Sequence, residues 1–282
     1  MASFPQQHIL LPNGAAISYI DEGPKDAPVL LLVHGLGTYA QSWNKNIQAL
    51  AGPYRCIAID LPGHGHSAPY KGAYSLRYFA DCLLHFIGVM NLRQVTLGGH
   101  SMGAQVCITA LKIAPDAAEK LLLVAPAGFE RFSMTEAMLY NSGLQYASLF
   151  GDDSEHIRHL LRNSFTRFPK DAAVMMEELI RLQKAMPAAD YRRMTRQCIA
   201  AMLEEPVYEY LPKVAQPTLI IFGGRDALIP NQLIHPLSTE KLARHVQKRM
   251  QQAKLLMIPG GGHFVQWEFA DAVNKAIADF LA

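Results

Sequence analysis

Short, uninterrupted aliphatic runs recur along the chain and predict buried β-strands. The run Val29–Val33 is wholly aliphatic and ends at His34, a pattern typical of a strand covered on both faces of a parallel sheet. Helix-length segments, such as 76–90 and 102–113, separate most of these runs. This alternation predicts an α/β fold with a mostly parallel, doubly wound sheet. The further runs are 55–60, 94–98, 120–124, 218–222 and 254–258.

Two regions depart from this alternation. Residues 9–11 and 15–21 flank a Pro-Asn-Gly turn at 12–14, which predicts an antiparallel hairpin at one edge of the sheet. Between about 129 and 211 no buried-strand run occurs, and the residues pattern as several amphipathic helices. We therefore predict two domains: a core formed by 1–128 and 212–282, and an inserted helical cap formed by 129–211.

Composition and charge narrow the classes of function. Half of the 282 residues are hydrophobic, which is enough for a large buried core. The net charge is +2 and Lys and Arg form no stripe, so nucleic acid is not an expected partner. The N-terminal residues lack a signal-peptide pattern, and no apolar stretch approaches the roughly 20 residues that span a bilayer. We expect a cytoplasmic protein with no membrane contact.

The cysteines and histidines give no sign of a metal site or a disulfide framework. No CxxC pair occurs, so reduced, buried thiols are expected. The histidines have no metal-ligand spacing with carboxylates, and neither a metal nor a cofactor is expected. The four cysteines are Cys56, Cys82, Cys107 and Cys198.

A serine stands in a glycine-rich turn between a predicted strand and a predicted helix. Gly99-His100-Ser101-Met102-Gly103 follows the strand 94–98 and begins the helix 102–113. Such a turn holds the serine in a strained conformation and projects its hydroxyl out of the sheet. The N-terminus of the following helix also favours negative charge that develops nearby. Ser101 is therefore the predicted nucleophile.

A serine nucleophile needs a base, and the base needs an acid that orients it. Asp226 and His263 each follow the end of a predicted strand, and parallel strands end at the edge of the sheet where ligand sites form. The chain order Ser, Asp, His is the one expected for this fold. We predict His263 as the base and Asp226 as the acid. Glu130 is the alternative acid, whereas Asp60 stands in a loop that we interpret as structural.

Acyl transfer also requires hydrogen-bond donors for the oxyanion. The backbone N–H of Met102, at the start of the helix, is one candidate, and that of Leu36 in His34-Gly35-Leu36-Gly37 is the other. The side chain of His34 is interpreted as a structural hydrogen-bonding group rather than a base. The same interpretation applies to His64, His66 and His100.

With these residues in place, the chain resembles the capped serine hydrolases of the α/β-hydrolase superfamily over nearly its whole length. The matching motifs are HGLG at 34–37, DLPGHGHS at 60–67, GHSMG at 99–103, GGRDALIP at 223–230 and GGGHFVQWE at 260–268. The resemblance implies the α/β-hydrolase fold with an inserted helical cap and a Ser-His-Asp triad. It specifies the substrate poorly, because one scaffold hosts many chemistries.

Several branches of this superfamily can be compared with the chain. Haloalkane dehalogenases and epoxide hydrolases have aspartate where Ser101 stands, which argues against both activities. Residues 263–268 are similar to the C–C bond hydrolases that cleave ring-fission products, although those usually have asparagine in place of His100 and tryptophan in place of Phe264. Lactonases and perhydrolases remain compatible. We expect a carboxylesterase acting on a small-molecule substrate, with a non-catalytic ligand-binding protein as the alternative from another class.

Overall fold

Eight strands form one sheet in the computed structural model, which describes residues 4–140 and 153–282. In sheet order they are β1, β2, β4, β3, β5, β6, β7 and β8. The β1–β2 and β2–β4 pairs are antiparallel and all others are parallel, so the predicted edge hairpin and α/β class are confirmed. The bounds are β1 Gln7–Leu10, β2 Ala16–Glu22, β3 Val29–Val33, β4 Arg55–Ile59, β5 Val95–His100, β6 Lys120–Val124, β7 Thr218–Gly223 and β8 Ala253–Ile258.

The helices cover both faces of the sheet. In β3, Leu31 and Val33 belong to one hydrophobic cluster and Leu30 and Leu32 to another, because successive side chains point to opposite faces. Helices α2, α3 and α7 contribute to the first cluster, and α1 and α9 to the second. The helix bounds are α1 Asn44–Leu50, α2 Leu76–Val89, α3 Met102–Ile113, α4 Asp153–Asn163, α5 Ala172–Ala185, α6 Ala188–Glu204, α7 Thr239–Gln247, α8 Val265–Glu268 and α9 Ala270–Leu281.

Local sequence explains where two of these helices begin. The Ser75 hydroxyl accepts a hydrogen bond from Tyr78 N–H at the start of α2, and Ser238 accepts one from Lys241 N–H at the start of α7. Each bond satisfies a backbone donor that has no partner within the helix. The apolar residues of α2 then recur at helical spacing, which places one face of the helix on the sheet.

Helices α4, α5 and α6 lie between β6 and β7 in the chain, and we call them the inserted helices. Residues 134–140, which precede them, are also helical. A third hydrophobic cluster joins side chains of α4 and α5 to Tyr39, Phe264 and Trp267 of the sheet domain. The helical character predicted for 129–211 is therefore confirmed for 134–140 and for most of 153–204, whereas residues 141–152 of that prediction lie outside the described residues. The inserted helices pack against the loop that contains His263.

All four cysteines are buried and unbonded to one another, as predicted. No helix among the described residues is long and apolar enough to cross a membrane. Because β5, β7 and β8 are parallel, their carboxyl ends meet at one edge of the sheet. Ser101, Asp226 and His263 all follow those ends, so this edge is where the candidate site lies.

Candidate active site

Ser101 occupies the turn between β5 and α3 in a strained backbone conformation. Its φ is 53° and its ψ is −118°, a region that residues with a side chain rarely adopt. Strain of this kind costs about 1–3 kcal/mol and persists only where surrounding bonds enforce it. Here Ser101 N–H donates to Val124 O at 3.0 Å, and Ser101 O accepts from Ala127 N–H at 3.1 Å. The turn is thus fixed against β6.

The two glycines of the motif are required by close backbone contacts. A Cβ on Gly99 would lie 2.4 Å from Ala104 N, and one on Gly103 would lie 2.4 Å from Val33 O. Both distances are shorter than non-bonded atoms tolerate, and the opposing atoms belong to backbone that cannot move aside. The glycines therefore allow α3 to start directly against β3 and β5, which sets the position of Ser101.

His263 and Asp226 form a hydrogen-bonded pair. His263 Nδ1 lies 2.8 Å from Asp226 Oδ2, and because a carboxylate only accepts, Nδ1 carries the proton and Nε2 is left as a proton acceptor. The other oxygen, Asp226 Oδ1, accepts from Leu228 N–H at 2.8 Å and from Ile229 N–H at 3.0 Å. These three bonds fix the carboxylate and the orientation of the imidazole ring.

The His263 loop also contacts the Ser101 turn. His100 Nε2 lies 3.0 Å from His263 O, and the two imidazole rings are 4.8 Å apart. Because a carbonyl only accepts, Nε2 of His100 carries the proton. Complete burial lowers the pKa of His100 well below its ordinary value, with a smaller contribution from His263. His100 is thus a neutral group that links the two loops, in agreement with its interpretation as a structural histidine.

The Gly35–Leu36 peptide is held by three donors. Gly35 O accepts from His34 Nδ1–H at 2.7 Å, from the Thr38 hydroxyl at 2.9 Å and from Thr38 N–H at 3.3 Å. Since a trans peptide points its N–H opposite to its C=O, these bonds aim Leu36 N–H away from them. A Cβ on Gly35 would lie 3.1 Å from Ser101 Cβ, so the peptide stands beside the serine.

The backbone N–H groups of Leu36 and Met102, predicted as oxyanion donors, have no hydrogen-bond acceptor within residues 4–140 and 153–282. The structural interpretation of His34 is confirmed, because its Nε2 accepts from Leu61 N–H at 3.0 Å and burial lowers its pKa. Thr38, which fixes the same peptide, was not identified from the sequence, since a threonine after a glycine turn gives no distinguishing signal.

Asp60 and two other histidines are structural, as the sequence suggested. Asp60 is fully buried and accepts from Ala40 N–H at 2.6 Å and from His66 N–H at 2.9 Å, so it joins two loops. Burial lowers the pKa of His64 to about 3. The Asp60 carboxylate, 3.5 Å from His66 Nδ1, raises the pKa of His66, whose Nε2 lies 3.5 Å from Glu178.

Glu130, the alternative acid, pairs with a different histidine. Its Oε1 lies 2.7 Å from His235 Nδ1 and accepts from Asn231 N–H at 2.8 Å. Burial raises the pKa of the Glu130 carboxyl, and the charge of Asp226 adds to this effect, although its hydrogen bonds oppose it. Among the described residues, no group of three His, Cys, Asp or Glu side chains is placed to hold a metal ion.

Comparison with known proteins assigns the family. A sequence model described as alpha/beta hydrolase fold matches residues 28–270, a range that contains Ser101, Asp226 and His263. The chain belongs to the alpha/beta hydrolase fold family. This membership supports a hydrolase function.

The relatives of this alpha/beta hydrolase have diverse names. A dihydrolipoyllysine-residue acetyltransferase component of an acetoin cleaving system from Pseudomonas putida is 30% identical over 277 residues, covering 95% of this chain and 67% of the relative. An esterase from Exiguobacterium antarcticum superposes with a TM-score of 0.82 at 18% identity, covering 98% of this chain and 99% of the other. A bromoperoxidase from Bacillus anthracis gives a TM-score of 0.80 at 22% identity, with coverage of 98% and 99%. These two structures share the fold.

Proposed function

We propose that this chain is a serine hydrolase that cleaves carboxylic esters of small, largely apolar substrates. Membership of the hydrolase family supports hydrolysis in general. The observation that carries the proposal is the 2.8 Å contact between His263 Nδ1 and Asp226 Oδ2 at the sheet edge where the strained Ser101 turn lies. Esters are proposed first because their cleavage requires only a triad and an oxyanion hole.

In this mechanism Ser101 Oγ attacks the ester carbonyl while His263 Nε2 takes the hydroxyl proton. The carbonyl π electrons move to oxygen, and the oxyanion accepts hydrogen bonds from Leu36 N–H and Met102 N–H. Asp226 stabilises the imidazolium that forms. The tetrahedral intermediate then expels the alcohol, which takes the proton from His263, and leaves an acyl group on Ser101. A water molecule deprotonated by His263 then attacks the acyl carbonyl, and the second tetrahedral intermediate releases the acid by breaking its bond to Ser101 Oγ, which takes the proton back from His263.

The inserted helices are proposed to belong to a cap over this site, formed by residues 129–211. Two contacts support this placement. Phe264 N–H donates to Ser164 O at 2.9 Å, and the rings of Phe165 and Phe264 stack with their centroids 5.2 Å apart. The residue after the proposed base therefore contacts the loop that follows α4. A cap in this position would limit access of water and substrate to Ser101.

Replacement of Ser101 tests the mechanism. We expect Ser101→Ala to lower the turnover of p-nitrophenyl butyrate by about 10⁴-fold or more, because the acyl-enzyme cannot form. Ser133→Ala, which changes an exposed serine, is the control and should retain turnover. Circular dichroism should show that both variants fold. Equal turnover of the Ser101→Ala variant and the parent would refute the mechanism.

A fluorophosphonate probe separates an enzyme from a ligand-binding protein on the same fold. Only an activated serine reacts with the probe, so mass spectrometry should find the label on Ser101 and none on the Ser101→Ala variant. A panel of short esters, lactones, a vinylogous diketo acid and acetate with hydrogen peroxide then identifies the reaction. Faster turnover of the diketo acid or of the peroxide reaction than of every ester would replace the ester proposal with C–C bond hydrolysis or perhydrolysis.

A further inference from the structure

Glu268 contacts the proposed catalytic loop and the inserted helices at the same time. It is the last residue of α8, five positions after His263. Glu268 Oε2 accepts from Gly262 N–H at 2.8 Å. Glu268 Oε1 accepts from Thr166 N–H and from Arg167 N–H, both at 3.1 Å, and it also contacts the Thr166 hydroxyl. One carboxylate thus accepts hydrogen bonds from the His263 loop and from the loop that follows α4.

The backbones of the two loops lie directly against each other. A Cβ on Gly262 would lie 2.9 Å from both Ser164 O and Thr166 N, so no side chain fits between them. Phe264 N–H donates to Ser164 O, and the Thr166 hydroxyl lies 3.1 Å from Gly260 O. Residues on both sides of His263 are therefore bonded to the loop 164–167.

The chemistry of these contacts requires a carboxylate. Every partner of Glu268 is an N–H or O–H donor, and within the described part of the chain no Lys or Arg side chain forms an ion pair with it. Hydrogen bonds to an ionised acceptor are roughly twice as strong as neutral ones. A glutamine has the same shape, but one of its two terminal groups is an NH₂, which cannot accept a hydrogen bond from an N–H. Glutamine at position 268 can therefore accept hydrogen bonds from Gly262 or from the loop 164–167, but not from both.

We propose that Glu268 is a positioning residue that couples the inserted helices to the His263 loop, so that displacement of one loop displaces the other. This inference rests on the proposed function, in which His263 is the base. Its consequence is that loss of the carboxylate misplaces the imidazole relative to Ser101 even though Glu268 contacts neither side chain. Misplacement of this kind lowers kcat, because it affects the transition state more than the bound substrate.

A matched control exists in Glu205, whose carboxylate also joins the inserted helices to the sheet domain. It accepts from Leu76 N–H at 3.1 Å and from Arg77 N–H at 2.9 Å, at the start of α2. Like Glu268→Gln, Glu205→Gln loses hydrogen bonds between the inserted helices and the sheet domain. Unlike Glu268→Gln, it leaves the contacts of the His263 loop unchanged. If Glu268 only stabilised the fold, kcat would change equally in the two variants.

The kinetic test compares Glu268→Gln with Glu205→Gln on p-nitrophenyl butyrate. We expect Glu268→Gln to lower kcat by ~10- to 100-fold with KM changed by less than about threefold, as losses of orienting partners do. Glu205→Gln should keep kcat within about twofold. Equal kcat values for the two variants, or a change in KM alone, would overturn the proposal. If the amide variant does not fold, Thr166→Val removes the contacts of the hydroxyl with Glu268 and with Gly260 O, both of which join the two loops, and should lower kcat in the same direction.

Amide hydrogen exchange tests the coupling without any activity. The amide of Phe264 is diagnostic, because its acceptor is Ser164 O and not Glu268. In Glu268→Gln we expect exchange at Phe264 to accelerate ~10-fold together with that at Thr166, since the loops separate as a unit. Unchanged exchange at Phe264 would show that the loops move independently and refute the coupling. Failure of the proposed function is distinguished separately, by unaltered turnover of Ser101→Ala.

Discussion

Two carboxylate–histidine pairs stand near the same edge of the sheet, and they differ in what surrounds them. In the first, Asp226 after β7 bonds to His263 after β8 at 2.8 Å, with side chains 0% and 5% exposed. In the second, Glu130 after β6 bonds to His235 at 2.7 Å, with side chains 9% and 18% exposed. The two distances are almost the same, so the length of the carboxylate–histidine contact does not distinguish the pairs.

The surroundings of each imidazole do distinguish the pairs. His263 lies against His100, the residue before Ser101, and its Nε2 is left as an acceptor. His235 lies between two carboxylates, with Nε2 4.0 Å from Glu136, and its ring packs against Phe132 at 4.9 Å. In both pairs a carboxylate orients a histidine, so a carboxylate–histidine contact alone does not mark a catalytic residue. We propose a catalytic role for the first pair and a structural role for the second.

The largest expected effect comes from breaking the first pair. Asp226→Asn presents an amide to His263 Nδ1 and favours the wrong tautomer, so Nε2 no longer accepts the serine proton. We expect kcat for p-nitrophenyl butyrate to fall by about 10⁴-fold, with the fold retained by circular dichroism. A loss of less than tenfold would contradict the assignment and make Glu130 the candidate acid.

Breaking the second pair should affect stability rather than rate. Glu130→Ala leaves Asn231 N–H and His235 without their acceptor in a largely buried position. We expect the free energy of unfolding in urea to fall by about 1–3 kcal/mol, the typical penalty for an unpaired buried group. The kcat should stay within about threefold. Glu136→Ala removes the more distant carboxylate and should cost less; a kcat loss comparable to that of Asp226→Asn would contradict the structural role.

The central strands β3, β4, β6 and β7 could be predicted within one or two residues because nearly all of their residues are buried, which makes these runs almost entirely apolar. The predicted end of β5 at Gly98 is two residues short, since the strand continues through Gly99 to His100. These two residues carry no apolar signal, yet Gly99 pairs with Val33 and Leu123 in the neighbouring strands.

The candidate site was predictable only where the chain order encodes it. Ser101, Asp226 and His263 each follow a strand end, so topology alone places them at one edge of the sheet. Their catalytic roles stay a prediction, as do the domain bounds. The partner of Glu130 and the contacts of Glu268 depend on how distant loops pack, and neither His235 nor Thr166 belongs to a motif. No periodic pattern in the sequence encodes such contacts.

The smallest expected effect is a pH dependence of stability that comes from Glu130 in the second pair. An ordinary glutamate carboxyl titrates near 4.5, and burial raises the pKa of Glu130 above this value in the folded protein. The folded state therefore binds the proton more tightly than the unfolded chain. The stability that this provides is complete below about pH 4.5 and is lost as the pH rises through the raised pKa.

Glu130→Gln separates this charge from the hydrogen bonds, because its amide oxygen still accepts from Asn231 N–H and His235. Relative to the parent, the variant should gain thermal stability as the pH rises from 4.5 through the raised pKa, since it has no charge to desolvate. Glu119→Gln, at an exposed position, corrects for the general change in charge. Because Asp226, Glu136 and His235 also face this site, the series is repeated in a His235→Asn background. If the difference in melting temperature between variant and parent does not change with pH, or changes with the opposite sign, burial does not control the pKa of Glu130. The two pairs would then differ in their position alone.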